Sequence, residues 1–298
     1  MTKFCIVIPN YNDLNNLKQA IHSCLNQNFE DYSISVTDNN SHDGSAEYLL
    51  KLVETNPKIK FYLNSSTLSK TDNWNRAFTN AEDCEFLVNL HSDDYLSPNA
   101  LKYINESVTK DTVLIHGANY QITPLDKIIK RRRFLFNYTH HGEAHKALVI
   151  SNNPVGIVGT AFRQDVFNKI GGFSKEYTFL QDVNLWYLLS DYGKCKYNAK
   201  IFGSYRQKYK VDPKPFFLEI LKWYQNIYKS ESGYLSNLAL KTLIYRINKT
   251  FNIIKSFNDE SINKTISSIK YEAKNLSFFN PNIYHLFLKF KFINLNIK

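Results

Sequence analysis

Apolar residues follow two alternating rhythms over the first hundred positions. Runs of five or six residues, at Phe4–Ile8, Tyr32–Thr37, Ile59–Leu63 and Glu85–Leu90, end in polar or Pro-containing turns. Between them apolar residues return at helical spacing, as Leu14, Leu17, Ile21 and Leu25 do. The short runs read as strands and the spaced sets as helices. Further helices are expected over Gly44–Val53 and Thr71–Ala81, and from Ser97-Pro98 through Val108, with serine at the cap and proline in the first turn. Strand–helix alternation of this kind predicts an α/β fold with a doubly wound, mostly parallel, Rossmann-like sheet.

The middle of the chain is less regular. Val113–Ala118 reads as a strand, Asp165–Ile170 as a short helix stopped by Gly171-Gly172, and Leu180–Leu189 as a helix. Lys130-Arg131-Arg132-Arg133 reads as a solvated loop, with the alternative that it meets an anionic acceptor. From residue 206 the pattern is helical. Phe216, Phe217, Ile220, Leu221, Tyr224, Ile227 and Tyr228 form one stripe; Ala239, Leu243, Ile247, Phe251 and Ile254 a second; Ile262, Ile266, Ile269 and Ala273 a third. Leu286–Ile297 is an edge strand or a surface-lying segment.

Charge sharpens this division. The 298 residues carry a net charge of +10. Residues through Tyr205 hold 21 basic and 21 acidic side chains, whereas Arg206 to Lys298 hold 16 basic against 6 acidic. The excess in the last third predicts two regions, 1–205 and 206–298, and an anionic partner for the second. Aromatics interleaved with lysine suit a membrane interface, so the tail is expected to dock on the cytoplasmic leaflet. No apolar run is long enough to span a bilayer, and Met1-Thr2-Lys3 leads straight into a strand; a cytoplasmic, peripheral location is expected. Cys5, Cys24, Cys84 and Cys195 lack paired spacing and read as reduced thiols rather than zinc ligands.

Candidate chemistry gathers at the carboxyl ends of the predicted strands, where parallel α/β sheets bind ligands. In FCIVIPNYND (4–13) Pro9 ends the ladder and leaves Asn10, Tyr11 and Asn12 at the sheet edge, an aromatic ready to stack on a base. Asp38 follows the second strand. Because Ser41 or Asp43 stands nearer the next helix start, Asp38 is expected to be free to accept from a nucleobase imide or a ribose hydroxyl. NLHSDDYLSPNAL (89–101) sets Asp93 beside Asp94; adjacent carboxylates repel, and a cation or a phosphate-bound metal relieves them.

In this order and spacing, these segments resemble the family 2 glycosyltransferases of the GT-A fold. LSKTDNWNRAF (68–78), FRQDVFNKIGGF (162–173) and LQDVNLWYLL (180–189) resemble the family's later segments, so the likeness covers roughly the first two-thirds of the chain. The resemblance implies a nucleotide-sugar donor and an inverting transfer to a hydroxyl of a glycan or polyprenyl-linked acceptor, in lipopolysaccharide, capsule or other surface-glycan synthesis. It implies Pro9, Tyr11, Asp38 and Arg76 at the donor, Asp93 and Asp94 at a divalent cation (Mn or Mg), and Asp182 as general base. Three positions depart from the family pattern. His91 stands where Asp is commoner, Gln181 replaces a Glu before the base, and a downstream metal-binding His is lost within Tyr205-Arg206-Gln207-Lys208. Metal coordination is therefore expected to be thin, with Arg206 or Lys208 supplying charge to the diphosphate. The uncharged Gln181 is expected to keep the pKa of Asp182 from rising.

Other classes fit less well. A sugar-phosphate nucleotidyltransferase needs a Gly-rich phosphate loop after the first strand, and PNYND has none. A nucleic-acid binder needs a recognition motif, and the basic excess lies outside the sheet. A catalytically weak accessory protein that binds sugar or nucleotide is the remaining alternative, kept open by the three departures.

Overall fold

The computed structural model describes all residues except 1, 135, 208–211, 251–253, 255, 258, 274–291 and 297–298. Strands β1 (Thr2–Asn10), β2 (Tyr32–Asp38), β3 (Ile59–Leu63) and β4 (Cys84–Asn89) pair in parallel in the order β4-β1-β2-β3. Helices α1 (Leu14–Leu25), α2 (Ser45–Thr55) and α3 (Lys70–Thr79) make the crossovers between them. Strands covered on both faces have no polar side to show, which is why β1 carries the apolar run Phe4–Ile8 and why the small Ser33, Ser35 and Thr37 of β2 are buried with its apolar residues.

Beyond β4 the sheet becomes mixed. Strand β9 (Thr160–Arg163) runs antiparallel to both β4 and β6 (Thr112–Ile122), and β7 (Ile128–Phe134) is antiparallel to β6. Strand β10 (Lys194–Arg206) lies parallel to β6 and antiparallel to the short β5 (Tyr95–Leu96) and β8 (Tyr138–His140). Helix α4 (Ala100–Ser107) starts after Asn99 rather than at Ser97-Pro98. The basic run Lys130–Arg133 is not a loop. It lies in β7, where ladder bonds to β6 and to the edge strand β11 (Phe292–Asn296) hold a segment whose polarity alone suggests solvent.

Helices α8 (Pro213–Ser230), α9 (Gly233–Lys249) and α10 (Glu260–Ala273) turn their apolar stripes inward: α8 and α10 pack on α9, and α9 packs on α5 (Gly142–Asn152), which meets α7 (Gln181–Leu189). One buried cluster joins Trp186 with Phe217, Trp223, Leu243 and Ile266. The Trp223 indole N–H donates to Asn184 Oδ1 at 3.1 Å, which satisfies its polar atom within this core. Phe251, of the second stripe, lies outside the described residues. All four cysteines are free and buried. Among the described residues no helix is long and apolar enough to cross a membrane.

Candidate active site

A cleft of about 950 Å³ crosses the carboxyl ends of these strands. Pro9, Tyr11 and Asn39 line it beside β1 and β2; Lys70, Trp74, His91 and Asp93 line it next to β4; Asn119, Arg132, Phe179, Asp182, Tyr205 and Phe216 complete it. Four sequence-predicted residues, Pro9, Tyr11, Asp93 and Asp182, thus share one cavity.

The turns after β1 and β2 are locked together. Asp38 is fully buried and accepts from Asn10 Nδ2 at 2.6 Å, the Ser41 N–H at 2.8 Å and the Ser41 hydroxyl at 2.7 Å. Asp43 caps both neighbouring helices, accepting the Leu14 N–H at 2.7 Å and the Ser45 N–H at 3.1 Å. The Asp38 oxygens thus already serve Asn10 and Ser41, and Asp38 does not line the cleft. The lining residue is its neighbour Asn39, whose Oδ1 accepts from Asn64 Nδ2 and the Leu68 N–H, both at 2.9 Å.

His91, Asp93 and Asp94 follow β4 and offer ligand atoms within 4.8 Å of one another. Asp94 is buried. Its Oδ1 accepts the Arg206 backbone N–H at 2.7 Å, and its Oδ2 stands 4.0 Å from His91 Nδ1. Burial, aided by the Lys70 charge, lowers the His91 pKa to about 3. The imidazole is thus neutral, as a metal ligand must be. His91 Nε2 is buried with no hydrogen-bond partner among the described residues. A neutral imidazole, with Nδ1 turned toward Asp94, and two carboxylates form a donor set that suits a divalent cation of the Mn type.

Arg206 does not reach this cleft. Alternation along β10 turns Tyr205 into it and Arg206 away. The buried guanidinium donates from Nε to the Asp93 carbonyl at 2.8 Å and from Nη1 to the Pro124 carbonyl at 3.0 Å, pairs with Asp126 at 2.8 Å, and bonds Gln19. It braces the Asp93-Asp94 turn from behind. Lys208 lies outside the described residues. Arg76 sits on the exposed face of α3, beside a separate hollow bounded by Tyr62 and Asn80. Among the described residues, the cations that line the cleft are Lys70 and Arg132, neither of which sequence reasoning assigned to the donor. Lys70 Nζ stands 4.8 Å from the Trp74 ring centre and donates to the Thr178 carbonyl at 3.4 Å.

Asp182 is the second residue of α7. The helix N-terminus and the Val183 N–H favour its carboxylate, as does the Lys70 charge, but burial outweighs them and raises its pKa; Glu219 adds to the rise. The neutral Gln181 thus does not decide the matter. Instead Gln181 accepts a hydrogen bond from Thr71 on α3, which also bonds the Tyr177 carbonyl. From α8, Glu219 accepts the N–H groups of Thr178, Phe179 and Leu180 at 2.8, 2.6 and 2.6 Å. Asn75 on α3 both accepts the Phe173 N–H and donates to the Phe173 carbonyl at 2.8 Å. Gly172 allows this clamp: its φ is +83°, and a Cβ there would lie 2.5 Å from Asn75 Oδ1.

The model of the family described as glycosyl transferase family 2 matches residues 5–171. With the fold and the cleft above, the chain belongs to that family. It is 24% identical to chondroitin synthase of Pasteurella multocida (strain Pm70) over 202 residues, 66% of this chain and 20% of that protein. It is 30% identical over 118 residues to a GalNAc(5)-diNAcBac-PP-undecaprenol beta-1,3-glucosyltransferase of Campylobacter jejuni, 39% of this chain and 38% of that one. The chain thus spans a fifth to two-fifths of these curated relatives. Among solved structures, S. aureus TarS in complex with UDP-GlcNAc superposes with a TM-score of 0.63 at 14% identity, covering 84% of this chain and 73% of that one. The mannosyltransferase PcManGT from Pyrobaculum calidifontis, in complex with GDP-Man and manganese, gives 0.52 at 10% identity, over 97% and 79%. Both share the fold.

Proposed function

We propose that the chain is an inverting glycosyltransferase that moves a sugar from a nucleoside-diphosphate sugar to a hydroxyl of a glycan or lipid-linked acceptor. The observation that carries this reading is the placement of Asp182, its carboxyl raised by burial, in one cleft with His91 and Asp93. A base with a raised pKa is suited to take the proton of the attacking hydroxyl. As that oxygen bonds to the anomeric carbon, the bond to the diphosphate breaks on the opposite face, and the sugar centre inverts. Asp93, Asp94 and His91 would hold a divalent cation, Mn or Mg, which would supply positive charge to the leaving diphosphate. Lys70 adds fixed charge at the same centre. Pro9 and Tyr11 face the nucleoside, with Asp38 fixing the turn behind them.

The names of the relatives, a chondroitin synthase and an undecaprenol-linked glucosyltransferase, support a role in building a bacterial surface glycan such as lipopolysaccharide or capsule. The division of labour follows the charge. Residues 1–205 bind the donor, and the basic region 206–298 lies toward the acceptor and the anionic inner leaflet, holding the enzyme peripherally. The test is nucleoside diphosphate release from a panel of nucleotide sugars, with and without manganese, by wild type and Asp182→Asn. Release from one donor, lost in the variant by about 10²–10⁴-fold, supports the reading. Absence of both turnover and nucleotide binding overturns it.

A further inference from the structure

Among the described residues Arg132 is a cation without a counter-charge. It lines the cleft from β7 beside Tyr205, and no carboxylate pairs with it among the described residues, although burial disfavours its charge. Lys70, by contrast, already has Asp182, Glu219 and Asp93 around it. A second group points the same way. Asn119, which faces Arg132 across the β6–β7 register, also lines the cleft and is 5% exposed. Its Nδ2 is turned toward the Gly117 carbonyl at 3.4 Å and crowds Gly156, where a Cβ would lie 2.4 Å away. That orientation leaves Oδ1 buried with no partner among the described residues. A buried acceptor of this kind is a vacancy for a ligand donor.

The sheet order says which ligand this end meets. Strand β7 stands three strands from β4 through β9 and β6, about 14 Å at ordinary strand spacing, on the side away from β1 and β2. Arg132 therefore lies past the His91–Asp93 cluster from the nucleoside end. We infer that this end of the cleft is an acceptor subsite for a sugar bearing an anionic group, a carboxylate or a phosphate, with Arg132 pairing the anion and Asn119 Oδ1 accepting a neighbouring hydroxyl. The guanidinium fork matches either oxyanion in two parallel bonds. Assigning the sugar to the acceptor rests on the glycosyltransferase reading; the binding itself does not.

The experiment measures calorimetric binding of methyl glucuronide, a hexose phosphate and neutral methyl glucoside to the full chain as wild type, Arg132→Ala and Arg132→Lys. Affinities of UDP and GDP with manganese are measured alongside. Wild type is expected to prefer the charged sugars by about tenfold or more. Arg132→Ala is expected to erase that preference and leave the nucleotides unaffected, with Arg132→Lys keeping part of it. The tighter of the two charged probes identifies the anion. Equal binding of all three sugars by wild type overturns the inference. So does a loss of nucleotide affinity in Arg132→Ala, which would assign Arg132 to the leaving diphosphate. Arg132 is exposed in the cleft, and a thermal melt verifies that the variant folds. If Arg132-dependent sugar binding persists while every donor is silent, the glycosyltransferase reading fails and the subsite stands.

Discussion

Replacing Glu219 with alanine probes how Asp182 is held. The Glu219 carboxylate takes three consecutive N–H groups, of Thr178, Phe179 and Leu180, at the entry to α7. Negative charge at a helix N-terminus is itself favourable. Hydrogen bonds to a charged acceptor are worth about 1.5–3 kcal/mol each, so three set an upper limit of about 5–9 kcal/mol. The bonds are exposed or only partly buried, and water recovers much of that sum in the variant. Glu219→Ala is expected to lower unfolding free energy by about 2–4 kcal/mol in urea titrations. Glu219→Gln isolates the charge. Burial is the main cause of the raised Asp182 pKa, and Glu219 adds to it, so neutralising Glu219 lowers that pKa. The acid limb of kcat/KM should move to lower pH in Glu219→Gln. If Glu219→Ala unfolds within about 0.5 kcal/mol of wild type and turns over normally, the anchoring argument is refuted.

Three further outcomes follow from named contacts. The folded pKa of Asp182 is raised, so the stability it contributes is complete below the ordinary carboxyl range and is lost as pH rises through the folded pKa. Asp182→Asn should therefore melt higher than wild type at neutral pH, by about 2–4 °C for each 1 kcal/mol, with the gain vanishing in acid; equal melting at both pH values would count against burial as the cause. His91→Ala should weaken manganese binding at least about tenfold by calorimetry, and wild-type binding should show no imidazole titration near neutral pH, because the His91 pKa is held at about 3. Arg206→Ala should cost about 3–5 kcal/mol in urea melts by stranding Asp126 and the Asp93 and Pro124 carbonyls, without rescue by Arg206→Lys and without direct loss of a nucleotide contact.

The parallel half of the fold was legible because its strands are covered on both faces and its crossover helices carry the 3.6 period. The mixed half was not. Strand β7 is a polar edge segment held by its ladder, and β10 interleaves lysines and asparagine with its apolar residues. At the site, Pro9, Tyr11, Asp93 and Asp182 could be placed because strand ends and helix starts fix where such residues must fall. Asp38, Arg206 and Arg76 lie outside the cleft lining for one shared reason: position along the chain does not say which way a side chain turns, and a polar group is taken by the nearest unsatisfied partner. Ser41 claims Asp38, and the carbonyls of Asp93 and Pro124 claim Arg206. Lys70 carried a detectable signal, a cation at the first turn of a helix aimed at the strand ends, but its partners Trp74 and Thr178 are visible only in three dimensions.

The boundary marked by charge does not coincide with a boundary in the core. Arg206 closes β10, and beyond it Glu219 and Phe216 on α8 reach back to the segment bearing Asp182, one by backbone hydrogen bonds and the other by lining the cleft. Phe179, just before the base, packs edge-on against Phe216 at 5.8 Å. Helix α8, in the basic region, therefore also anchors the segment that carries Asp182, and its Glu219 helps raise the Asp182 pKa. A membrane surface that drew on those lysines would act on α8, and through Glu219 on Asp182, without any separate hinge. On the proposed reading, charge reversals on the outer faces of α8 and α9 are separable from catalysis only where they leave Phe216 and Glu219 in place.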